Sequence, residues 1–183
     1  MIILASKSPR RKEILTMAGI DFKVVVKDVA EDLLEANPAL YALKTAQKKA
    51  LAVLEDYPNE IILSADTVVT VDNLILEKPK NLDDARHMIK LISGREHKVI
   101  TGVYLGNKIK HEVFSVETKV YVSSLTDDEI EEYINTPEPY DKAGGYAIQG
   151  IFGKYIEKID GDYYNVVGLP INTIINKLKS INI

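Results

Sequence analysis

The chain has 183 residues, 46% hydrophobic and 27% charged, with a net charge of −4 and a pI near 5.5. That length suits a single domain, residues 1–183, able to bury a substantial core, and the acidic balance argues against a general nucleic-acid binder with its broad basic face. The absence of cysteine excludes disulfides, thiolate metal sites and cysteine nucleophiles, so any metal is a hard cation held by carboxylates and substrate oxygens.

Ile2-Ile3-Leu4-Ala5 reads as a short buried strand. In the following SKSPRRK, Ser8 suits an N-cap and Pro9 the first helical position, and Ile14, Leu15 and Ala18 recur at helical spacing until Gly19. Arg10, Arg11 and Lys12 then fall in the first turn, where the macrodipole disfavours cations by roughly 0.3–1 kcal/mol each. One explanation is that the long side chains reach into water. The other is an anion site, because a strand, a loop with two hydroxyls, free backbone N–H groups and a basic first turn together suit phosphate.

Phe22 to Val26 reads as a second strand, leading to Asp28, Glu31 and Asp32. Those acids are either a solvated loop or, placed opposite a basic cluster, a ligand for Mg²⁺. Asn37-Pro38 repeats the cap-then-proline signal for a helix to about Leu54 that carries Lys48 and Lys49. Ile61-Ile62-Leu63 is a buried strand, broken by Ser64-Ala65-Asp66-Thr67 and resumed from Val68 to Val71. Asp66 thus sits at a strand end, either as a turn-capping aspartate or as a general base or metal ligand.

Asp72-Asn73 turns a hairpin back through Leu74–Leu76 to Lys78-Pro79, and a helix runs from about Leu82 to Ile92 before Ser93-Gly94. Val99–Leu105 and Ile109–Val122 read as long paired strands. Thr126 and Glu129 make a capping box for a short helix to Ile134. After Pro137 and Pro139 comes a glycine-bearing loop, residues 141–150. Its Gly145-to-Gly150 spacing matches a P-loop, but Ile151-Phe152 stands where Lys-Ser/Thr belongs, so a P-loop is rejected. Gln149 offers an amide that matches the N3–H and carbonyl edge of uracil or thymine, or else is satisfied by backbone. Tyr155–Ile159 is a last strand and Ile171–Ile181 a closing amphipathic helix. Elements mix without strict alternation, which predicts an α/β fold with a mixed central sheet flanked by helices on both faces. No basic leader precedes a long apolar stretch and no run reaches a membrane span of roughly 18 residues, so a cytoplasmic protein is expected.

Taken together, these segments resemble the Maf family of nucleoside triphosphate pyrophosphatases over nearly the whole chain. The matching pieces are Ala5-Ser6-x-Ser8-Pro9-Arg10-Arg11, Lys49-Ala50, Ser64-Ala65-Asp66-Thr67, Lys78-Pro79, Ser93-Gly94 with His97, Asp141-Lys142-Ala143-Gly144 into Gln149-Gly150, and Val167-Gly168-Leu169-Pro170. The resemblance implies an elongated, two-lobed Maf/ITPase-like architecture with a cleft, usually homodimeric. It implies hydrolysis of a nucleoside triphosphate to the monophosphate and pyrophosphate with Mg²⁺ or Mn²⁺. It makes Asp66 the proton acceptor, shares the metal between Asp66 and Glu31, and makes Ser8, Arg11, Lys49 and Lys78 ligands of the triphosphate. Base choice falls on Arg10, Thr67 and Gln149, whose identities look like the subgroup acting on dTTP and UTP, with house-cleaning of non-standard pyrimidine nucleotides as a further use. No nucleic-acid or membrane partner is expected. The alternative is a non-catalytic nucleotide sensor regulating cell division.

Overall fold

The computed structural model describes residues 1–30 and 35–181. Its frame is a seven-stranded mixed sheet in the order β2 (Phe22–Val24), β1 (Ile2–Leu4), β3 (Ile62–Val71), β5 (Glu96–Gly106), β6 (His111–Val122), β7 (Ile156–Asp160), with β4 (Leu74–Leu76) attached to β3. β1 (Ile2–Leu4) pairs in parallel with β2 (Phe22–Val24) and with β3 (Ile62–Val71), and the remaining pairs are antiparallel. The connection from β1 to β2 is α1 (Pro9–Met17), and α2 (Pro38–Leu54) carries the chain from β2 to β3. Asn37 Oδ1 accepts from the Ala39 and Leu40 N–H groups, so the cap-then-proline signal is realised in atoms.

The break expected at residues 64–67 is absent. β3 runs unbroken because β5 (Glu96–Gly106) pairs with it from Ile62 to Thr70, and Ser64 and Ala65 are fully buried. Long-range pairing outweighs the weak strand preference of Ser-Ala-Asp-Thr. Asp66 therefore lies inside a strand, opposite Gly102, and not at its end.

A strand has two edges, and β5 fills one of them. On the other, β1 reaches only Leu63, whose carbonyl accepts from Ala5 N–H at 2.8 Å, and β4 (Leu74–Leu76) begins at Val69. The β3–β4 turn is Asp72-Asn73, both with positive φ, the tight hairpin geometry that matches strand twist. Between Ser64 and Val68 that edge has no strand partner among the described residues.

Alternation sends Ile62, Asp66 and Val68 to one face and Leu63, Ala65, Thr67 and Val69 to the other. On the first face lies α2, seated directly on Gly102: a Cβ there would come within 2.3 Å of the Ala42 carbonyl carbon. On the second face α1, α5 (Tyr163–Val167) and α6 (Ile171–Ile181) pack around Leu63, Ala65 and Val103. Farther along the same face, α3 (Leu82–Ile92) and α4 (Asp127–Ile134) pack around Val69, Val99 and Val120. The Thr126–Glu129 capping box forms with both of its hydrogen bonds. β6 (His111–Val122) and β7 (Ile156–Asp160) complete the sheet. The helix α5 and three short 3₁₀ segments, Glu138–Asp141, Ala143–Gly145 and Ile151–Tyr155, had no clear pattern in the sequence. No helix among the described residues is long and apolar enough to cross a membrane.

Candidate active site

The gap between β1 and β4 opens into a cleft of about 830 Å³. Because it lies along the bare edge of β3, side chains from both sheet faces reach it. Asp66 enters from the α2 face and Thr67 from the α1 face.

Lys49 explains why α2 matters. Ala42, Thr45, Ala46, Ala50 and Val53 are buried at helical spacing, and Lys49, seven residues after Ala42, shares their stripe. Its Nζ meets Asp66 Oδ1 at 2.8 Å, with the side chains 20% and 14% exposed. Gly102 sets the distance, since any larger residue lifts the helix from the strand.

Ser8 occupies the N-cap position of α1, but its side chain makes no capping hydrogen bond. Ser6 Oγ instead accepts the Ser8 N–H at 3.2 Å and leaves the Ser8 side chain lining the cleft. Lys7, which precedes the cap and is not one of the first-turn cations, meets Asp28 at 3.1 Å in an exposed pair. Arg11 folds back so that three of its nitrogens donate to oxygens of the cleft wall. Nε donates to Gly168 O at 2.9 Å, Nη1 to Ser6 Oγ at 3.0 Å and Nη2 to Thr67 Oγ1 at 3.1 Å.

Arg10 lines the same cleft as Asp141 of the glycine loop. The neighbouring Lys142 ammonium, aided by the more distant Arg10 guanidinium, holds the Asp141 carboxyl below its usual range. Lys78 stands exposed at the lip, just past β4. Gln149 is exposed on the glycine loop and lines the same cleft. Glu31, expected to share a metal, lies outside the described residues.

The loop that carries Gln149 is fixed from beneath. Gly144 and Gly145 have φ of 70° and 72°, and Gly144 sits so close to Val69 that a Cβ would approach within 2.7 Å. Tyr133 Oη donates to Gly145 O at 2.9 Å, and Tyr146, buried at the cleft wall, meets His97 Nε2 at 2.6 Å. Burial pushes the His97 imidazole down to about 4. Sequence reasoning gave no role to Ser6, Tyr146 or Gly168. Ser6 and Gly168 do fall inside motifs that carried the resemblance, and a tyrosine beside two glycines in a loop was the only signal for the third.

The lining is strongly cationic for an acidic protein. Lys7, Arg10, Arg11, Lys49, Lys78 and Lys142 face Asp28, Asp66, Glu77 and Asp141, besides Lys27, which pairs with Glu55 and Asp56. Among the described residues no three His, Cys, Asp or Glu side chains gather to cage a metal. The Asp66 carboxylate, set beside cations, fits a hard cation that shares its coordination with phosphate oxygens.

Comparison with known proteins matches these segments as a set. Residues 1–181 match the family model described as Maf-like protein. A dTTP/UTP pyrophosphatase of Acholeplasma laidlawii is 46% identical over 185 residues, covering 100% of this chain and 97% of that protein. Relatives of the same name from Bacillus cereus and Bacillus cytotoxicus are 45% and 48% identical, covering 100% and 97% of this chain and 96% and 93% of their own. The solved Ham1 protein of Staphylococcus aureus overlaps 66% of this chain and 71% of its own at 13% identity and a TM-score of 0.48. With its cleft built from the very segments that align end to end with these relatives, the chain belongs to the Maf family.

Proposed function

We propose that this protein, a single Maf-like domain over residues 1–183, hydrolyses nucleoside triphosphates, dTTP and UTP foremost, to the monophosphate and pyrophosphate. The observation that carries the reading is the setting of Asp66: a strand carboxylate bonded to Lys49 of α2, in a cleft it shares with Arg10 and Arg11 of α1 and Lys78 beyond β4. The pyrophosphatase names of full-length relatives at 45–48% identity support it.

In this reading Arg11, Lys49 and Lys78 spread over the triphosphate and, with Ser8, fix its register, which is the larger part of catalysis in phosphoryl chemistry. Water attacks the α-phosphorus, the bond from that phosphorus to its β-bridging oxygen breaks, and pyrophosphate leaves with its developing charge held by the lysines. Asp66 takes the proton of the attacking water. Gln149 reads the pyrimidine edge, and Arg10 and Thr67 complete the base side of the cleft.

A divalent cation, Mg²⁺ or Mn²⁺, belongs to the proposal, with Asp66 and Glu31 holding it. When bound, it neutralises phosphate charge and makes water more acidic. A homodimer is part of the reading on the strength of the resemblance. A cytoplasmic location accompanies it because nucleoside triphosphates are made and used there. No nucleic acid or membrane enters as partner.

The test is a panel of nucleoside triphosphates, including methylated and non-standard pyrimidine bases, with Mg²⁺ or Mn²⁺ and identification of products. Release of pyrophosphate, fastest from dTTP and UTP, is expected. Intact nucleotide after prolonged incubation would instead indicate a sensor, and orthophosphate release would overturn the assigned point of attack.

A further inference from the structure

Arg11 ends in a buried chain of hydroxyl groups that runs away from the cleft. Thr67 Oγ1, which accepts from Arg11 Nη2, lies 2.9 Å from Thr101 Oγ1, and Thr101 Oγ1 donates to Asn165 O at 3.3 Å. Guanidinium only donates and a carbonyl only accepts, so with Thr101 donating to Asn165 O the proton between the two threonines is that of Thr67. The longer 3.4 Å contact from Thr67 to Gly168 O is secondary.

Asn165 also governs the other anchor of Arg11. Its Nδ2 donates to Val99 O at 3.1 Å and to Thr118 Oγ1 at 3.0 Å, pinning α5 to β5 and β6. Asp162 caps the same helix through its Oδ1. At the end of α5 stands Gly168, whose N–H bonds back to Asn165 O and whose carbonyl receives Arg11 Nε. Thr101, Thr118 and Asn165 are fully buried and do not line the cleft. Asn165 Oδ1 has no partner among the described residues.

We propose that Thr101 and Asn165 are positioning residues for Arg11. Through Thr67 and Gly168 they set the plane of the guanidinium before any nucleotide arrives. Thr67 accordingly acts on the triphosphate side of the site, through Arg11, in addition to any part in base choice. The proposal rests on the pyrophosphatase reading for its kinetic arm alone.

The test is Thr101→Val, which removes the hydroxyl while keeping the shape, alongside Thr101→Ser, which keeps the hydroxyl, and Thr67→Val. Thr101→Val should raise KM for dTTP about tenfold with kcat within about twofold, Thr67→Val should match it, and Thr101→Ser should remain near the wild type. In an Arg11→Lys background Thr101→Val should add nothing further. Mere structural damage would lower kcat through loss of active protein and leave KM alone. A second arm needs no turnover. The Arg11 Nε–H resonance, assigned by its loss in Arg11→Lys, should exchange slowly with water in the wild type and Thr101→Ser, and rapidly in Thr101→Val. Additive effects with Arg11→Lys, or an unchanged resonance in Thr101→Val, would overturn the proposal. If the wild-type enzyme releases no pyrophosphate, the functional reading falls, and the resonance still decides the positioning role.

Discussion

Lys49 Nζ and Asp66 Oδ1, 2.8 Å apart, join the middle of α2 to the middle of β3 under the cleft. The pair is mostly withdrawn from water, so its ammonium also fixes where the carboxylate stands. Lys49→Gln should cost about 2 kcal/mol of stability, less than the loss of a wholly buried pair, and lower kcat about a hundredfold by removing both a phosphate ligand and the support of Asp66. Chemical denaturation and steady-state kinetics read the two effects. Unchanged kcat in a folded variant would remove Lys49 from the mechanism.

Asp66→Asn keeps size and polarity but cannot accept the proton of water. Turnover should fall about a thousandfold, while the circular dichroism spectrum stays close to the wild type. Near-normal turnover would reject Asp66 as the base.

Much of this site was legible in the chain because its signals are local. Asn37-Pro38 and Thr126 with Glu129 mark their boundaries through bonds within a few residues, Ser8-Pro9 through the proline at the first helical position and Asp72-Asn73 through positive φ, and each is where it was expected. The strand through Asp66 was misread because its continuity comes from β5, some 35 residues away, and not from Ser-Ala-Asp-Thr itself. The chain from Arg11 to Asn165 could not be seen for the same reason. Thr101 looks like any threonine in an apolar run, and nothing in α1 reports that its partner lies beyond residue 160. Lys49 was halfway legible: the buried alanines around it mark the face, though not what the face meets.

Gln149 presents one acceptor and one donor from an exposed position on a loop that glycines and Tyr146 hold in place. Uracil and thymine offer the complementary N3–H and carbonyl; guanine and adenine carry donor–acceptor pairs of their own, so the discrimination expected of Gln149 requires that the cleft seat the single pyrimidine ring against its amide. Gln149→Ala should lower kcat/KM for dTTP and UTP about tenfold and for purine triphosphates by less than about twofold. Equal losses across bases would mean that Gln149 does not read the pyrimidine edge.

The buried His97–Tyr146 contact makes stability depend on pH. An unfolded His97 takes a proton near 6.5, whereas burial lowers the folded value to about 4. Between those values the unfolded chain binds the extra proton, so acid favours unfolding. The neutral imidazole's contribution is complete above pH 6.5, declines as pH falls toward 4 by up to about 3 kcal/mol, and declines no further below that. Carboxylates titrate in the same acid range, so the comparison must be with His97→Gln, which keeps a polar group near Tyr146 and loses the titration. Denaturation from pH 7 to pH 4 should be steeper in pH for the wild type than for the variant, with the two curves converging in slope above pH 6.5. Parallel curves across the whole range would show that His97 is protonated in the fold, and would break its assigned part in fixing the wall that carries Gln149.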